Sequence, residues 1–309
     1  MIRIVLSVAL TALVLEACAS AGTESHPQTI EPAGVAETRG HLLLVGGGPI
    51  PRELTHLFVQ LAGGPGGARI AVLPMASSVA STGAEKVSEL RGLGADAFTI
   101  NVTRAEADAD SIVIKLNAAT GIWFSGGDQN RLVAALAGSR AERAIRDRYA
   151  AGAVVGGTSA GAAVMSNPML TGEERRPGGA RPLSDSTQAN VTIDRDNTVT
   201  ARGFGLLRGA IVDQHFVRRR RQNRLVSLVL EHPAMLGVGI DESTAIHVSP
   251  DGSWRVVGAS VAVIFDARGA RITPRGELLG ASGIRMHVLP GGSTFDPSAG
   301  RVTRLGSER

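Results

Sequence analysis

Ser159 lies at the centre of a G-x-S-x-G sequence, residues 157–161, that could carry a nucleophile. The apolar residues 153–155 precede it and a run of small residues follows, which indicates a buried strand, a sharp turn and a helix. In such a turn the serine hydroxyl stands out at the sheet edge, where the first amides of the helix also point. The alternative is a glycine-rich turn in which Ser159 only caps the helix. We predict that Ser159 is a catalytic nucleophile.

A second glycine-rich loop, residues 124–129, also follows an apolar strand. Its exposed backbone amides could join the amide of Ala160 in binding the oxygen that becomes negatively charged in a tetrahedral intermediate. The alternative is that the loop is only a turn that connects the end of the strand to a capped helix. We predict an oxyanion hole formed by Gly127 and Ala160.

A serine needs a base that accepts its proton, and His215 is the best-placed histidine. It follows the apolar run 210–212 and has polar neighbours, so it ends a strand. The other six histidines lie in the N-terminal tether, in helices or in strand-like runs: His26, His41, His56, His232, His247 and His287. The alternative is that His215 only caps the next helix.

The base in turn needs an acid that holds its tautomer and stabilises the imidazolium. Six acidic residues between Ser159 and His215 are candidates for this role, and their spacing does not choose among them: Glu173, Glu174, Asp185, Asp194, Asp196 and Asp213.

Four consecutive arginines, residues 218–221, and Arg224 follow His215 and are expected to start a helix. Most of them should lie on a solvated face. Because the run begins three residues after His215, one or two guanidiniums can still point into the site and bind a substrate carboxylate with paired hydrogen bonds.

Short apolar runs alternate with helical stretches in the first half of the chain. The predicted strands are residues 41–45, 69–73, 97–100, 121–124 and 153–155, and the predicted helices are 52–61, 83–93 and 130–151. This alternation is typical of an α/β fold with a mostly parallel sheet flanked by helices. Residues 172–200 are expected to form a long loop or hairpin, and residues 245–305 short C-terminal strands. We find no boundary within residues 41–309 and predict a single domain.

Composition narrows the possible functions. The chain has 309 residues, 43% of them hydrophobic, which is enough for a sizeable core. Its net charge of +4 comes from interspersed charges of both signs, so we expect no nucleic-acid partner. The single cysteine, Cys18, excludes a disulfide framework and a cysteine nucleophile in the body of the protein.

The N-terminus has the features of an export signal. Arg3 precedes an apolar run, residues 4–15, that is too short to span a bilayer, and residues 15–18 resemble a lipobox ending at Cys18. We therefore expect an exported protein, with residues 1–18 as signal, a lipidated Cys18 and possible membrane attachment, and residues 19–40 as a flexible tether. Its location would be periplasmic, anchored at the outer membrane or secreted; a plain secretory signal or a misplaced start is the alternative.

Four ordered motifs together resemble the cyanophycinases, a serine peptidase family related to aspartyl dipeptidase (peptidase E). These motifs are residues 124–129, 156–162, 213–216 with the arginines that follow, and 239–242. The resemblance covers roughly residues 41–265. It implies a fold similar to class I glutamine amidotransferases (flavodoxin-like) and hydrolysis of cyanophycin, a poly-aspartate carrying arginine on its side chains, to β-aspartyl-arginine dipeptides.

The resemblance also implies roles for individual residues. Ser159 would be the nucleophile and His215 the base, and the family's glutamate would be Glu173 or Glu174, with Glu173 preferred. Six residues would line the substrate pocket: Gln129, Asp213, Gln214, Arg219, Arg221 and Arg224. This chemistry requires no metal and no organic cofactor.

Three other functions compete with this one. A dipeptidase or isoaspartyl peptidase of the same family would share the nucleophile motif and differ in pocket shape. An α/β-hydrolase esterase shares G-x-S-x-G, but a His-Gly-Gly-Gly oxyanion motif is missing upstream. A lipoprotein that binds the polymer without cutting it is the non-enzymatic alternative. Residues 46–48 do not fit a dinucleotide fingerprint because Pro51 replaces its third glycine. The sequence does not fix the oligomeric state, and a homodimer remains an alternative.

Overall fold

The computed structural model describes residues 38–176, 179–182 and 192–306. In chain order the helices in these ranges are α1 (Arg52–Leu61), α2 (Thr82–Arg91), α3 (Asp110–Asn117), α4 (Gln129–Leu136), α5 (Arg140–Ala150), α6 (Ala160–Ala163) and α7 (Gln222–Glu231). The first strands are β1 (Leu42–Val45), β2 (Arg69–Leu73), β3 (Asp96–Thr99), β4 (Gly121–Phe124), β5 (Val154–Thr158), β6 (Met169–Arg176), β7 (Gly179–Pro182), β8 (Thr198–Ala201) and β9 (Ala210–Gln214). The later strands are β10 (Leu236–Ile240), β11 (Thr244–Val248), β12 (Trp254–Gly258), β13 (Val261–Asp266), β14 (Arg271–Ile272), β15 (Ala281–Ser282), β16 (Arg285–Pro290), β17 (Thr294–Asp296) and β18 (Arg301–Arg304).

The largest sheet of the described residues has the strand order β18-β17-β12-β11-β1-β5-β4-β2-β3. Its half from β1 to β3 is parallel, and β11 joins β1 in antiparallel register. The parallel strands are joined by helices, as expected for crossover connections. Their carboxyl ends therefore meet at one edge of the sheet, where loops can carry functional groups.

A second sheet has the order β16-β13-β10-β9, with β9 and β10 parallel. Alternate residues of β1 serve two cores, since Leu43 packs with α1 and α2, whereas Leu42 packs with α4, α5 and one face of the second sheet. The other face of the second sheet packs on Leu225 and Leu228 of α7. The first layer is formed by α1 and α2, and the second is the large sheet. The third layer contains α4, α5 and the second sheet, and α7 covers the outer face of that sheet.

The structure confirms the α/β fold and the mainly parallel sheet flanked by helices. It differs from the predicted elements at residues 130–151, which form α4 and α5 and not one helix. Gly138 has a φ of +71°, and the Ser139 hydroxyl caps α5 by accepting a hydrogen bond from the amide of Glu142. The sequence also missed α3. In its described part, the stretch 172–200 consists largely of β7 and of portions of β6 and β8, and these three strands form an antiparallel sheet.

The predicted export signal, Cys18 and most of the tether lie outside the described residues. In the part of the chain that the structure does describe, no helix combines the length and hydrophobicity that crossing a membrane requires.

Two histidines face each other across the pairing of β1 and β11. His41 Nδ1 lies 3.0 Å from His247 Nε2, and their rings stack with centroids 5.1 Å apart. Burial lowers the pKa of His247 to about 4, helped by the neighbouring His41 and Arg255 and opposed by Asp251. Burial also lowers the pKa of His41. Folding therefore favours the neutral form of this pair.

His247→Gln is expected to make the protein less sensitive to acid. The unfolded chain binds a proton at His247 as pH falls through about 6.5, while the folded chain resists until about pH 4, so wild-type stability is lost over this window. With solvent screening, the group should contribute about 1–2 kcal/mol of that loss. Urea unfolding at pH 7.5 and 4.5 measures it, with the exposed His56→Gln as control. An unchanged pH dependence in His247→Gln would contradict the assignment.

Candidate active site

Ser159 lies in a turn between β5 and α6 that only small residues can form. Its backbone is in an uncommon region, with φ 54° and ψ −113°, and its amide donates to the carbonyl of Val45 at 2.9 Å. A Cβ on Gly161 would lie 2.2 Å from the carbonyl oxygen of Phe124, and one on Gly157 would lie 2.5 Å from that of Gly161. The small residues around the serine therefore let α6 pack directly on β4 and β5.

His215 follows the last residue of β9 and approaches Ser159 from the second sheet. Its Nε2 lies 2.8 Å from the Oγ of Ser159, within hydrogen-bond distance. Its backbone has φ 49°, and its amide donates to the carbonyl of Gly46 at 2.7 Å. The structure thus brings the two residues predicted as nucleophile and base into direct contact.

The carboxylate beside His215 belongs to Glu242, which follows β10. Its Oε1 lies 2.7 Å from Nδ1 of His215, on the ring side opposite Ser159. The sequence placed Glu173 or Glu174 here, and the structure corrects that expectation. Both lie on β6, which pairs with β7 and β8, and in the described residues neither side chain contacts His215.

Glu242 lies outside the stretch between Ser159 and His215 that contains the six acids predicted as candidates. A signal was present in the sequence, since Glu242 follows the apolar strand residues 236–240 in the same way as His215 follows its own strand. In the structure β9 and β10 are parallel neighbours, so the residues that follow them emerge side by side.

Burial is the main influence on His215 and lowers its pKa below the usual 6.5. The hydrogen bond to Glu242 raises the pKa, and the positive charges of Arg219 and Arg221 lower it. The ring is therefore neutral at pH 7, and a neutral ring can accept a proton from Ser159.

The predicted oxyanion amides flank the serine. Ala160 is the first residue of α6 and fully buried, and Gly127 lies in the loop between β4 and α4 with φ +137°. Among the described residues, neither amide donates to a backbone or side-chain acceptor. A Cβ on Gly127 would lie 2.1 Å from the carbonyl oxygen of Ala76, so this position requires glycine.

A pocket of about 190 Å³ opens beside Ser159 and contains most of the predicted substrate-binding residues. Its lining includes Gly127, Gln129, Gln214, Arg219, Arg221 and Arg224. Arg219 makes no ion pair with another described residue, so its guanidinium is free to bind a substrate carboxylate. Arg221 keeps its charge at neutral pH, because burial lowers its pKa only to about 10.

Asp213 does not fit the predicted pocket role. Its side chain is 0% exposed and binds Arg224, with 2.7 Å from Nε to Oδ2 and a second, shorter contact between Nη2 and Oδ1. Its carboxylate lies 3.5 Å from Arg221. A buried carboxylate paired in this way orients the arginines and has no free oxygen for a substrate guanidinium.

The arginine run is not the first turn of a helix. α7 begins at Gln222, and Arg220 has φ 52°, which a helix does not permit. The amide of Arg218 donates to the carboxylate of Asp241 at 2.9 Å, and that of Arg219 to the carbonyl of His215 at 2.8 Å. This tight turn directs Arg219 towards the pocket.

The loop after β1 packs against His215 and Glu242, the two residues that are hydrogen-bonded to each other beside Ser159. A Cβ on Gly47 would lie 2.3 Å from Cε1 and 2.4 Å from Nε2 of His215, and one on Gly48 would lie 2.8 Å from Oε2 of Glu242. The glycines therefore let the imidazole and the carboxylate pack flat against the backbone. This explains a glycine cluster that the sequence left without a function.

Gly47→Ala is expected to lower kcat about a hundredfold, because a displacement of about 1 Å at a catalytic group costs that much. The added methyl group must push the His215 ring away from Ser159. Gly66→Ala is the matched control, since Gly66 also has a positive φ, +80°, but has open space around its Cβ position. Steady-state kinetics and thermal melts of both variants test this, and full activity in Gly47→Ala would show that the loop does not position the ring.

The described residues contain no group of three His, Cys, Asp or Glu side chains placed to hold a metal ion. What the arrangement offers is a serine, a histidine and a glutamate in a continuous hydrogen-bonded chain, with free amides on one side and arginines on the other.

Comparison with known proteins agrees with this chemistry. Residues 42–255 match the model of peptidase family S51. The chain is 34% identical to a cyanophycinase of Synechococcus elongatus over 254 residues, which are 79% of this chain and 74% of that protein. It is 33% identical to a cyanophycinase of a Nostoc species over 270 residues, 84% of this chain and 86% of that protein.

A solved structure shares the fold. The crystal structure of a peptidase from an acI-B1 Actinobacterium superposes with a TM-score of 0.60 at 22% identity, covering 84% of this chain and 98% of that one. The residues that the family model matches, 42–255, include Ser159, His215 and Glu242. The chain therefore belongs to peptidase family S51 and is a serine-type peptidase.

Proposed function

We propose that the protein is a cyanophycinase that hydrolyses the aspartate backbone of cyanophycin to β-aspartyl-arginine dipeptides. The observation that carries the proposal is the continuous chain from Ser159 Oγ through His215 to Glu242, at 2.8 and 2.7 Å, beside a pocket lined by arginines. Two relatives at 33–34% identity bear the cyanophycinase name.

In the proposed reaction, Ser159 Oγ attacks the carbonyl carbon of the amide between two aspartate units while its proton passes to Nε2 of His215. Glu242 stabilises the imidazolium, and the amides of Gly127 and Ala160 bind the oxyanion. Collapse of the intermediate breaks the C–N bond, and His215 gives its proton to the departing amine. Water, deprotonated by His215, then hydrolyses the ester on Ser159 and restores the enzyme.

The charges of the pocket suit this substrate at its carboxylate end. A unit of cyanophycin exposes the α-carboxylate of its arginine and the guanidinium of that arginine. Arg219 is available for the carboxylate, and the buried Asp213 holds Arg221 and Arg224 in fixed orientations.

Incubation of the purified protein with insoluble cyanophycin, followed by mass analysis of the soluble products, tests the proposal. We expect β-aspartyl-arginine to accumulate with the wild-type protein and not with Ser159→Ala. Hydrolysis of aspartyl dipeptides without release from the polymer would instead assign a dipeptidase.

That dipeptidase of the same family is the second candidate. The size of the catalytic pocket favours it, because about 190 Å³ is below the 300–1,000 Å³ typical of sites that enclose a whole small ligand. A comparison of kcat/KM on β-aspartyl dipeptides and on the polymer separates the two functions.

We also propose that the protein is exported and anchored by a lipid on Cys18. The support is the charged start, the short apolar run and the lipobox-like residues 15–18 of the sequence. Cell fractionation with labelled palmitate should find the label and the peptidase together in the membrane fraction. Cys18→Ala should abolish the label, and a label that persists would contradict lipidation at this residue.

A further inference from the structure

A second, larger cavity opens at the same edge of the sheet as the catalytic pocket. It measures about 680 Å³ and lies between the loop of residues 74–80 after β2, the segment 101–106 after β3, and the side of α4 that carries Arg131. Below it is called the β2–β3 cavity. The proposed reaction does not use it.

The β2–β3 cavity and the catalytic pocket share a wall. The amide of Asp128 donates to the carbonyl of Ala76 at 2.9 Å, which joins the loop after β4 to the loop after β2. Gly127 to Gln129 line the catalytic pocket, while Arg131, two residues or about half a turn of α4 further, lines the cavity. A substrate that leaves the pocket over the start of α4 therefore enters the cavity.

The spacing of the strands gives the distance between the end of β5, where Ser159 lies, and the β2–β3 cavity. β2 is two places and β3 three places from β5 in the sheet, and neighbouring strands lie about 4.8 Å apart, so the cavity begins about 10–15 Å from the end of β5. An extended backbone covers about 3.5 Å per residue, so three or four units of a poly-aspartate backbone span this distance. A substrate of two units is too short for its backbone to reach the cavity.

The chemistry of the cavity suits a chain that carries both carboxylates and guanidiniums. Arg131 is exposed and makes no ion pair with another described residue. Arg104 is paired with Asp108 at 2.7 Å, and Glu106 is an exposed carboxylate that accepts hydrogen bonds from the amide and hydroxyl of Thr103. The exposed Val79 adds an apolar contact at the rim.

We propose that the β2–β3 cavity is a secondary subsite that holds units of a long substrate chain beyond those joined by the scissile bond, with Arg131 binding a carboxylate of that chain. The proposal rests on the proposed function and deepens it. It predicts that long chains bind more tightly than short ones, because a long chain contacts the β2–β3 cavity as well as the catalytic pocket.

The test compares synthetic β-aspartyl-arginine oligomers of two and six units with wild type, Arg131→Gln and Arg131→Glu. Arg143→Gln is the matched control, since Arg143 is also an exposed helical arginine without an ion pair to another described residue and does not line the cavity. Loss of one charge-assisted contact at an exposed site should raise KM for the six-unit chain about fivefold in Arg131→Gln, and reversal of charge should raise it about twentyfold. The values of kcat, and KM for the two-unit chain, should not change.

Equal KM values for the six-unit chain in wild type and Arg131→Glu would overturn the subsite. Calorimetric binding of the six-unit chain to the Ser159→Ala protein, with and without Arg131→Glu, separates this failure from failure of the proposed function. If wild type cleaves neither oligomer but the charge reversal still weakens binding at least tenfold, the subsite stands and the proposed hydrolysis does not. Unchanged affinity would reject the subsite whatever the activity.

Discussion

Ser159→Ala is expected to lower kcat on cyanophycin by about a million-fold, the loss that follows removal of the nucleophile in serine peptidases. The oxygen removed is the one that would bond to the substrate carbonyl, and among the described residues the Ser159 hydroxyl is the hydroxyl in contact with His215. The amides of Gly127 and Ala160 remain and can still polarise a carbonyl, so a small residual rate above that of water is expected. Single-turnover product release measures the loss.

The fold should survive this substitution. Ser159 has a φ of 54°, which serine and alanine tolerate about equally. Within the described part of the chain, its hydroxyl bonds to the ring of His215 and to no other side chain. Ser243→Ala is a matched control because Ser243 also has a φ of 54°, with its hydroxyl donating to the carbonyl of Pro49. Ser243→Ala should keep activity within about tenfold, since it removes one neutral hydrogen bond outside the reacting atoms.

A covalent probe tests the reactivity of the Ser159 hydroxyl independently of substrate turnover. A fluorophosphonate should add one covalent label to wild type and none to Ser159→Ala, because a neutral His215 next to the hydroxyl is what activates it. Retention of more than about one per cent of the activity by Ser159→Ala, against the million-fold loss typical of serine peptidases, would remove Ser159 from the mechanism.

Much of the parallel sheet could be predicted from the sequence, and for a physical reason. β2 and β4 have the predicted bounds because strands buried on both faces are continuous apolar runs, here ended by Pro74 and Ser125. α4 and α5 could not be separated in the same way. Their apolar periodicity continues through Gly138 and Ser139, and the break depends on a positive φ and a cap that become visible only in the structure.

The positions of Ser159 and His215 could be predicted because each is fixed by local sequence. Ser159 needs small residues beside it, and His215 needs a buried strand before it. Glu242 could not be found in the same way, because its place depends on which strand lies next to β9. β9 and β10 pair in parallel, with Asp213 opposite Gly239, in a sheet separate from the one that carries Ser159. Chain order alone contains no information about that pairing.

Glu242→Gln is expected to lower kcat about 10⁴-fold, as amide replacement of the acid does in Ser-His-Asp triads. Glutamine can still accept a hydrogen bond from Nδ1 of His215, but it carries no charge to stabilise the imidazolium. At the same time the pH profile should shift. The hydrogen bond to Glu242 raises the pKa of His215, so its loss lets burial and the charges of Arg219 and Arg221 lower the pKa further. The acidic limb of kcat/KM, where protonation of the base stops the reaction, should therefore move to lower pH.

The matched variant is Glu173→Gln, which makes the same chemical change at the residue first expected to be the acid. Glu173 is half-buried on β6, and the carboxylate in contact with His215 belongs to Glu242. Replacement of Glu173 should therefore leave kcat within about threefold and the acidic limb within a few tenths of a pH unit, the size of effect expected from a charge that does not touch the ring. A pH-rate profile of the two variants beside wild type decides between them. If Glu173→Gln loses the activity and shifts the limb while Glu242→Gln does neither, then the contact at 2.7 Å between Glu242 and His215 is structural, and the acid must reach the ring by a rearrangement when substrate binds.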